Sequence, residues 1–125
     1  MAEYMFLLFD DESWFDDLTP ESWESAMKLH GAFAQSVEAA GARILDGKAL
    51  QRTTTATTVR KDWDNPSAPP VVTDGPFIET KEALGGYYVI EARDLDQALE
   101  LGALCPTGAL EIRPILDTSG SGSTG

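Results

Sequence analysis

His30 is the one histidine in the chain, and imidazole is the side chain whose unperturbed charge change falls nearest neutral pH. Its neighbours turn it inward. Trp23, Met27, His30, Ala34 and Val37 recur at steps of four, three, four and three, with Ala26 and Phe33 alongside, which is the stripe of an amphipathic helix. A histidine on that stripe faces a sheet rather than water. There it can move a proton if a carboxylate orients it and raises its basicity, and Asp46 and Asp74 are the candidate partners. The structural alternative is a buried imidazole that satisfies a backbone carbonyl. Gly31 beside it removes a side chain from a helix interior at a cost of about 1 kcal/mol, which a close contact or small pocket would justify.

Ligand-holding candidates cluster elsewhere. Asp74-Gly75-Pro76 forms a turn, with Gly75 free to take backbone angles other residues avoid, and Phe77 then anchors the loop on the core. Glu79, Thr80 and Lys81 follow, placing an acid, a hydroxyl and an ammonium ahead of Gly85-Gly86, where a backbone or ligand can approach closely. Lys81 can hold an anionic group while Thr80 shares a hydrogen bond with it. The same residues also suit a specialised turn, with Asp74 bonded to backbone N–H groups and Glu79 paired to Lys81. Arg113 can grip a carboxylate in bidentate fashion, or pair with a neighbouring acid or across a subunit interface. Cys105 has no readable base partner and reads as a small buried thiol. Trp14, Trp23 and Trp63 read as packing residues. One histidine, one cysteine and scattered carboxylates make no metal set. Gly85-Gly86 lacks the spacing and following helix of a phosphate cradle, so neither metal nor cofactor is expected.

These groups must be positioned by a small set of elements. Tyr4 to Phe9 is an apolar run without alternation, the mark of a strand covered on both faces. The acidic stretch Asp10 to Asp17 lacks the ligand spacing and central glycine of a calcium loop and reads as a solvated loop. Thr19-Pro20-Glu21 opens a helix that Gly41 closes, from about Pro20 to Ala40. Arg43 to Leu50 is a strand broken by the Asp46-Gly47 turn or bulge signal, and Thr53 to Arg60 a polar strand. Lys61 to Pro70 is a loop, Val71 to Thr73 a short strand and Gly85 to Glu91 a central one. Asp94 caps a helix that stops before Cys105-Pro106, and Leu110 to Ile115 is a last strand that Pro114 confines to an edge.

The order β-α-β-β-(β)-β-α-β, with two helices for one mainly antiparallel sheet, predicts an α+β sandwich of ferredoxin-like type with both helices on one face. The first strand and Tyr87 to Ile90 are apolar on both faces, so the uncovered face predicts a twofold dimer. Residues 1–117 form one domain by this reading, and 118–125 a flexible Ser/Gly tail. The net charge of −12 argues against nucleic acid and anionic membranes. An apolar fraction of 42% excludes a disordered chain. No apolar run approaches the roughly 18 to 20 residues that span a bilayer. A single cysteine excludes a disulfide framework, and the opening residues lack the pattern of a signal peptide, so a cytoplasmic location is expected.

The segment from Asp74 to Tyr88, Asp-Gly-Pro-Phe-Ile-Glu-Thr-Lys-Glu-Ala-Leu-Gly-Gly-Tyr-Tyr, resembles the signature of DGPF-domain proteins, a branch of the YCII-related family. The similarity continues through Leu95 to Leu99, Cys105-Pro106 and Glu111 to Pro114, and back to Tyr4 to Leu8 and the His30 helix. The resemblance implies a dimeric α+β barrel of ferredoxin-like subunits. A distant branch of the family includes a dehydrochlorinase of a chlorinated hydroxyhydroquinone. YCII-like proteins have a proposed His-Asp site, and many DGPF members are encoded beside extracytoplasmic-function sigma factors. Where the YCII-like pattern has Asp-Pro after the second helix, this chain has Cys105-Pro106. Two functions follow as expectations. The first is binding of a small anionic or aromatic molecule, with lyase or isomerase chemistry by His30 without metal. The alternative is a non-catalytic dimeric accessory or regulatory module, associated with a sigma factor.

Overall fold

A computed structural model describes residues 1–119 of the chain. The unbroken apolar run at the start becomes β1 (Ala2–Asp11), whose side chains sort by alternation. Tyr4, Phe6 and Leu8 are buried on one face, while Met5, Leu7 and Phe9 lie half-buried on the other. β1 sits between β5 (Glu82–Ala92) and β6 (Ala109–Pro114), with β2 (Arg43–Ala49) outside β5. The four-stranded sheet therefore runs β2-β5-β1-β6, and every pair is antiparallel. β3 (Thr57–Arg60) and β4 (Val71–Asp74) form a separate two-stranded ribbon between β2 and β5 in sequence.

Two helices cover one face of the sheet. α1 (Pro20–Ala39) begins where Thr19 Oγ1 accepts from the Ser22 backbone N–H, while Ser22 Oγ accepts from that of Thr19. It ends at Gly41, whose φ of 80° only glycine adopts without strain. α2 (Leu95–Gly102) starts on the Asp94 side chain, which accepts from Gln97 N–H. The Gln97 amide turns back to Arg93 N–H rather than to the cap itself, and its Nε2 donates to Ala40 O at 2.8 Å. That buried amide stitches the end of α1 to the start of α2. Phe33 and Val37 of α1 and Ala98 and Leu101 of α2 then share one core with Tyr4, Phe6, Leu8 and Ile90.

Several local readings change. Asp10 to Asp17 is not plain loop: Asp11 caps a 3-10 turn over Glu12–Asp17. The strand expected from Thr53 starts only at Thr57, because the Thr55 hydroxyl donates to Arg52 O and holds Thr53–Thr55 in a 3-10 turn. The Asp46-Gly47 signal marks a bulge, with the register slipping between Ile44 and Asp46. Phe77 does not anchor its loop on the core. It is 63% exposed, with the Arg60 guanidinium 4.6 Å from its ring centroid. Pro114 closes β6 at the sheet edge, as its missing N–H requires. Of the tail, residues 120–125 lie outside the described residues. Among the described residues, no helix is long and apolar enough to cross a membrane.

Candidate active site

A cavity of about 500 Å³ opens between the N-terminal half of α1 and the sheet. It exists because glycine and alanine take the place of larger residues on the strands beneath. Farther along, Ile44 opposes Ile90, but under the first turns of α1 the matching pairs are Gly47 with Tyr88 and Ala49 with Gly86. Trp23, Met27 and His30 form the helix wall, and Trp14 and Phe15 of the 3-10 turn form another. The lining is mainly apolar and aromatic. These tryptophans border open space as well as packing neighbours, a role that composition did not signal.

The 3-10 turn is strapped in place. Glu12 accepts from the Thr53 backbone N–H at 2.8 Å and from its hydroxyl, and Arg52 Nη1 lies 2.6 Å from Asp16 Oδ1. The Arg52 guanidinium also stands 5.6 Å from the Phe15 ring centroid. Its positive charge is thus spent on Asp16 and held over an aromatic wall.

His30 Nδ1 lies 2.7 Å from the Tyr88 hydroxyl. The tyrosine is fixed by packing. Its ring centroid is 5.2 Å from that of Phe33, and its ring lies across Gly47, where an added Cβ would stand 2.7 Å from Cδ1. Gly47 is therefore a condition for the Tyr88 position. Burial pushes the His30 pKa down, favouring the neutral ring. Burial, with a smaller contribution from Cys105, pushes that of Tyr88 up, so the phenol keeps its proton. Cys105 is buried too, and its thiol is pushed up to about 11, which leaves it neutral and unsuited to act as a nucleophile near pH 7.

The expected carboxylate partners stand elsewhere. Asp46 accepts from the Tyr87 hydroxyl at 2.9 Å and from Gly47 N–H at 2.8 Å. Tyr87 and Tyr88 are adjacent on a strand and point to opposite faces. The bulge places Asp46 opposite Val89, on the face away from the helices. Asp74 is exposed in β4, opposite Thr57. The carboxylate on the cavity wall is Asp10, which accepts from Gly108 N–H at 3.3 Å and which the sequence placed in a solvated acidic loop. It shares the parity of the buried Tyr4, Phe6 and Leu8 because β1 runs on past Phe9 to Asp11.

Glu79 and Thr80 border a separate recess of about 360 Å³ with Thr53, Thr54, Gly75 and Pro76. Gly75 takes the positive φ, 98°, that its turn needs. Lys81 is exposed, and its charge adds a small downward pull on Asp11, whose main cause is the Ser13 backbone N–H. Arg113 Nε donates to Glu111 at 2.6 Å, opposite Met5 on the helix-free face. None of Glu79, Thr80, Lys81 and Arg113 lines the cavity that holds His30. Among the described residues, no three His, Cys, Asp or Glu side chains gather as a metal set.

A model of the YCII-related domain family matches residues 2–119 of the chain. An uncharacterised protein of Rhizobium meliloti (strain 1021) is 34% identical over 117 residues, covering 90% of each chain.

Proposed function

The chain belongs to the YCII-related family, and from that premise we propose that it binds a small, largely apolar molecule in the cavity under α1, with His30 acting on it in proton chemistry of the lyase or isomerase kind. One observation carries this reading. The only histidine of the chain lines an otherwise mainly apolar cavity, with one ring nitrogen bonded to Tyr88 and the other without a partner among the described residues. A titratable group on a concave apolar wall is the arrangement ligand sites use to orient and activate what they bind. The cavity favours the aromatic ligand over the anionic one, since neither Lys81 nor Arg113 reaches it.

The same proposal includes a homodimer. The antiparallel order β2-β5-β1-β6 supports a ferredoxin-like subunit. Met5, Leu7, Phe9, Tyr87 and Val89 share the face that no helix covers, and packing two such faces gives the dimeric barrel. Light scattering at micromolar concentration is expected to return twice the chain mass. A monomer would overturn the dimer.

The test of the site is a thermal-shift screen of small aromatic compounds on the native chain and on His30→Ala. Ligands that raise the melting temperature of the native protein are expected to lose much of that effect in the variant. Equal stabilisation of both proteins by every ligand would remove His30 from the site.

A further inference from the structure

On the reading that the cavity binds a small molecule, we infer that Tyr88 donates its hydroxyl proton to His30 Nδ1, so that His30 meets the ligand as a neutral Nε2–H donor and the ligand carries a carbonyl-type oxygen acceptor. The 2.7 Å contact admits two arrangements. In the first, the phenol donates to the in-plane lone pair of Nδ1. In the second, an Nδ1–H donates to the phenol oxygen, whose lone pair is delocalised into its ring and accepts weakly. The second also leaves the Tyr88 O–H idle, because that hydroxyl has no other partner among the described residues. A half-buried donor without a partner is costly, and the first arrangement satisfies both groups at once.

With Nδ1 occupied as an acceptor, the ring proton of a neutral imidazole sits on Nε2. Among the described residues that nitrogen has no partner, and it is not sealed off, since the one buried side-chain nitrogen or oxygen without a partner among them is Arg52 Nε. Burial keeps the ring neutral and the phenol protonated. Of the other polar side chains on the cavity wall, those of Asp10 and Thr107 are already engaged, while the Gln51 amide and the indole N–H groups of Trp14 and Trp23 carry no charge. Asp10 accepts from Gly108 N–H, and the Thr107 hydroxyl donates within the backbone of β1 and β6. Lys48 pairs with Tyr87 on the opposite face of the sheet, so it borders the cavity through its backbone, and the nearby Arg52 lies outside the lining and is bound to Asp16. The site therefore offers an aromatic wall and a neutral donor. It suits a carbonyl that a neutral imidazole can hold and polarise, and provides little for a free anion.

Because the chain has one histidine, a long-range proton–nitrogen correlation spectrum of the full chain reads its tautomer without ambiguity. At about pH 8, above the ordinary histidine range, Nε2 is expected to show the protonated-type shift and Nδ1 the unprotonated type. In Tyr88→Phe, which keeps the ring against Gly47 and Phe33, the two shifts are expected to move toward an exchange average. A proton on Nδ1 in the native protein would overturn the proposal, and so would unchanged shifts in Tyr88→Phe. The ligand class is tested with a matched pair of probes, acetophenone and α-methylstyrene, which differ in the carbonyl oxygen. Acetophenone is expected to bind about fivefold to tenfold tighter, the worth of one hydrogen bond. Equal affinities would overturn the ligand class. If neither probe perturbs the cavity resonances, the cavity reading itself fails, and the ligand class with it, whatever the tautomer.

Discussion

The two halves of α1 carry the same apolar periodicity over the same sheet and reach opposite outcomes. Toward its C-terminal end, Phe33 and Val37 are sealed against Phe6 and Ile90. Toward its N-terminal end, Trp23 is 43% and Met27 42% exposed, and they overhang Gly47, Ala49 and Gly86. Nothing in the helix distinguishes these ends. What differs is the strand side, where isoleucine gives way to glycine and alanine, so burial is a property of facing pairs and not of a stripe. The packed half supplies stability and the hollow half supplies room. His30 sits at their border, where Tyr88 reaches from the packed half to meet it.

The contrast can be broken most sharply at the packed end. Phe33→Ala is expected to cost about 3–5 kcal/mol in urea denaturation, the usual cost of emptying a sealed aromatic site. Trp23→Ala, at the hollow end, should cost far less, and equal losses would mean that the two halves are energetically alike. Next in size is Gly47→Ala. The new Cβ would meet the Tyr88 ring at 2.7 Å, and a destabilisation of about 1–3 kcal/mol is expected for such overpacking. Its distinguishing signature is a displaced His30 resonance, because Tyr88 must shift.

A smaller effect is expected from pH. Burial lowers the His30 pKa on folding, so the folded state binds fewer protons than the unfolded chain. The stability this group provides is full above its unfolded value of about 6.5, and is lost as pH falls through the folded value. Denaturation midpoints taken in steps below pH 7 should fall less steeply in His30→Gln than in the native protein. An unchanged slope would show that burial does not hold the ring neutral. The smallest effect is a gain. An added Cβ at Gly31 would meet nothing within 4 Å, so Gly31→Ala should stabilise the helix by about 0.5–1 kcal/mol and leave ligand binding intact. A loss instead would restore the close contact that the sequence suggested at this glycine.

Much of the scaffold was legible because its signals are local. The Thr19-Pro20 start, the Gly41 stop and the Asp94 cap each act through bonds a few residues apart. The Asp74 to Tyr88 signature likewise pointed to the family that matches residues 2–119. The site was legible only in part. His30 could be placed on the inner stripe, and the structure seats it on a cavity wall. Its neighbour could not be read, since the choice among Asp46, Asp74 and Tyr88 depends on strands far apart in sequence. Phe77 shows the same limit: its aromatic character suggested burial, yet nothing in the loop guaranteed a core within reach, and it took Arg60 as its partner.

By itself the sequence determined where the helices begin and end, which strands are apolar on both faces, and that one imidazole points inward. The tertiary structure decided what that imidazole meets. Strand parity is counted two residues at a time, and a bulge of one residue reverses it. The slip between Ile44 and Asp46 turns the Asp46 carboxylate away from the helices and brings Gly47 opposite Tyr88. Glycine leaves the space the tyrosine ring requires. A neutral phenol therefore stands at His30 where a carboxylate was expected, because register, and not composition, selects the partner.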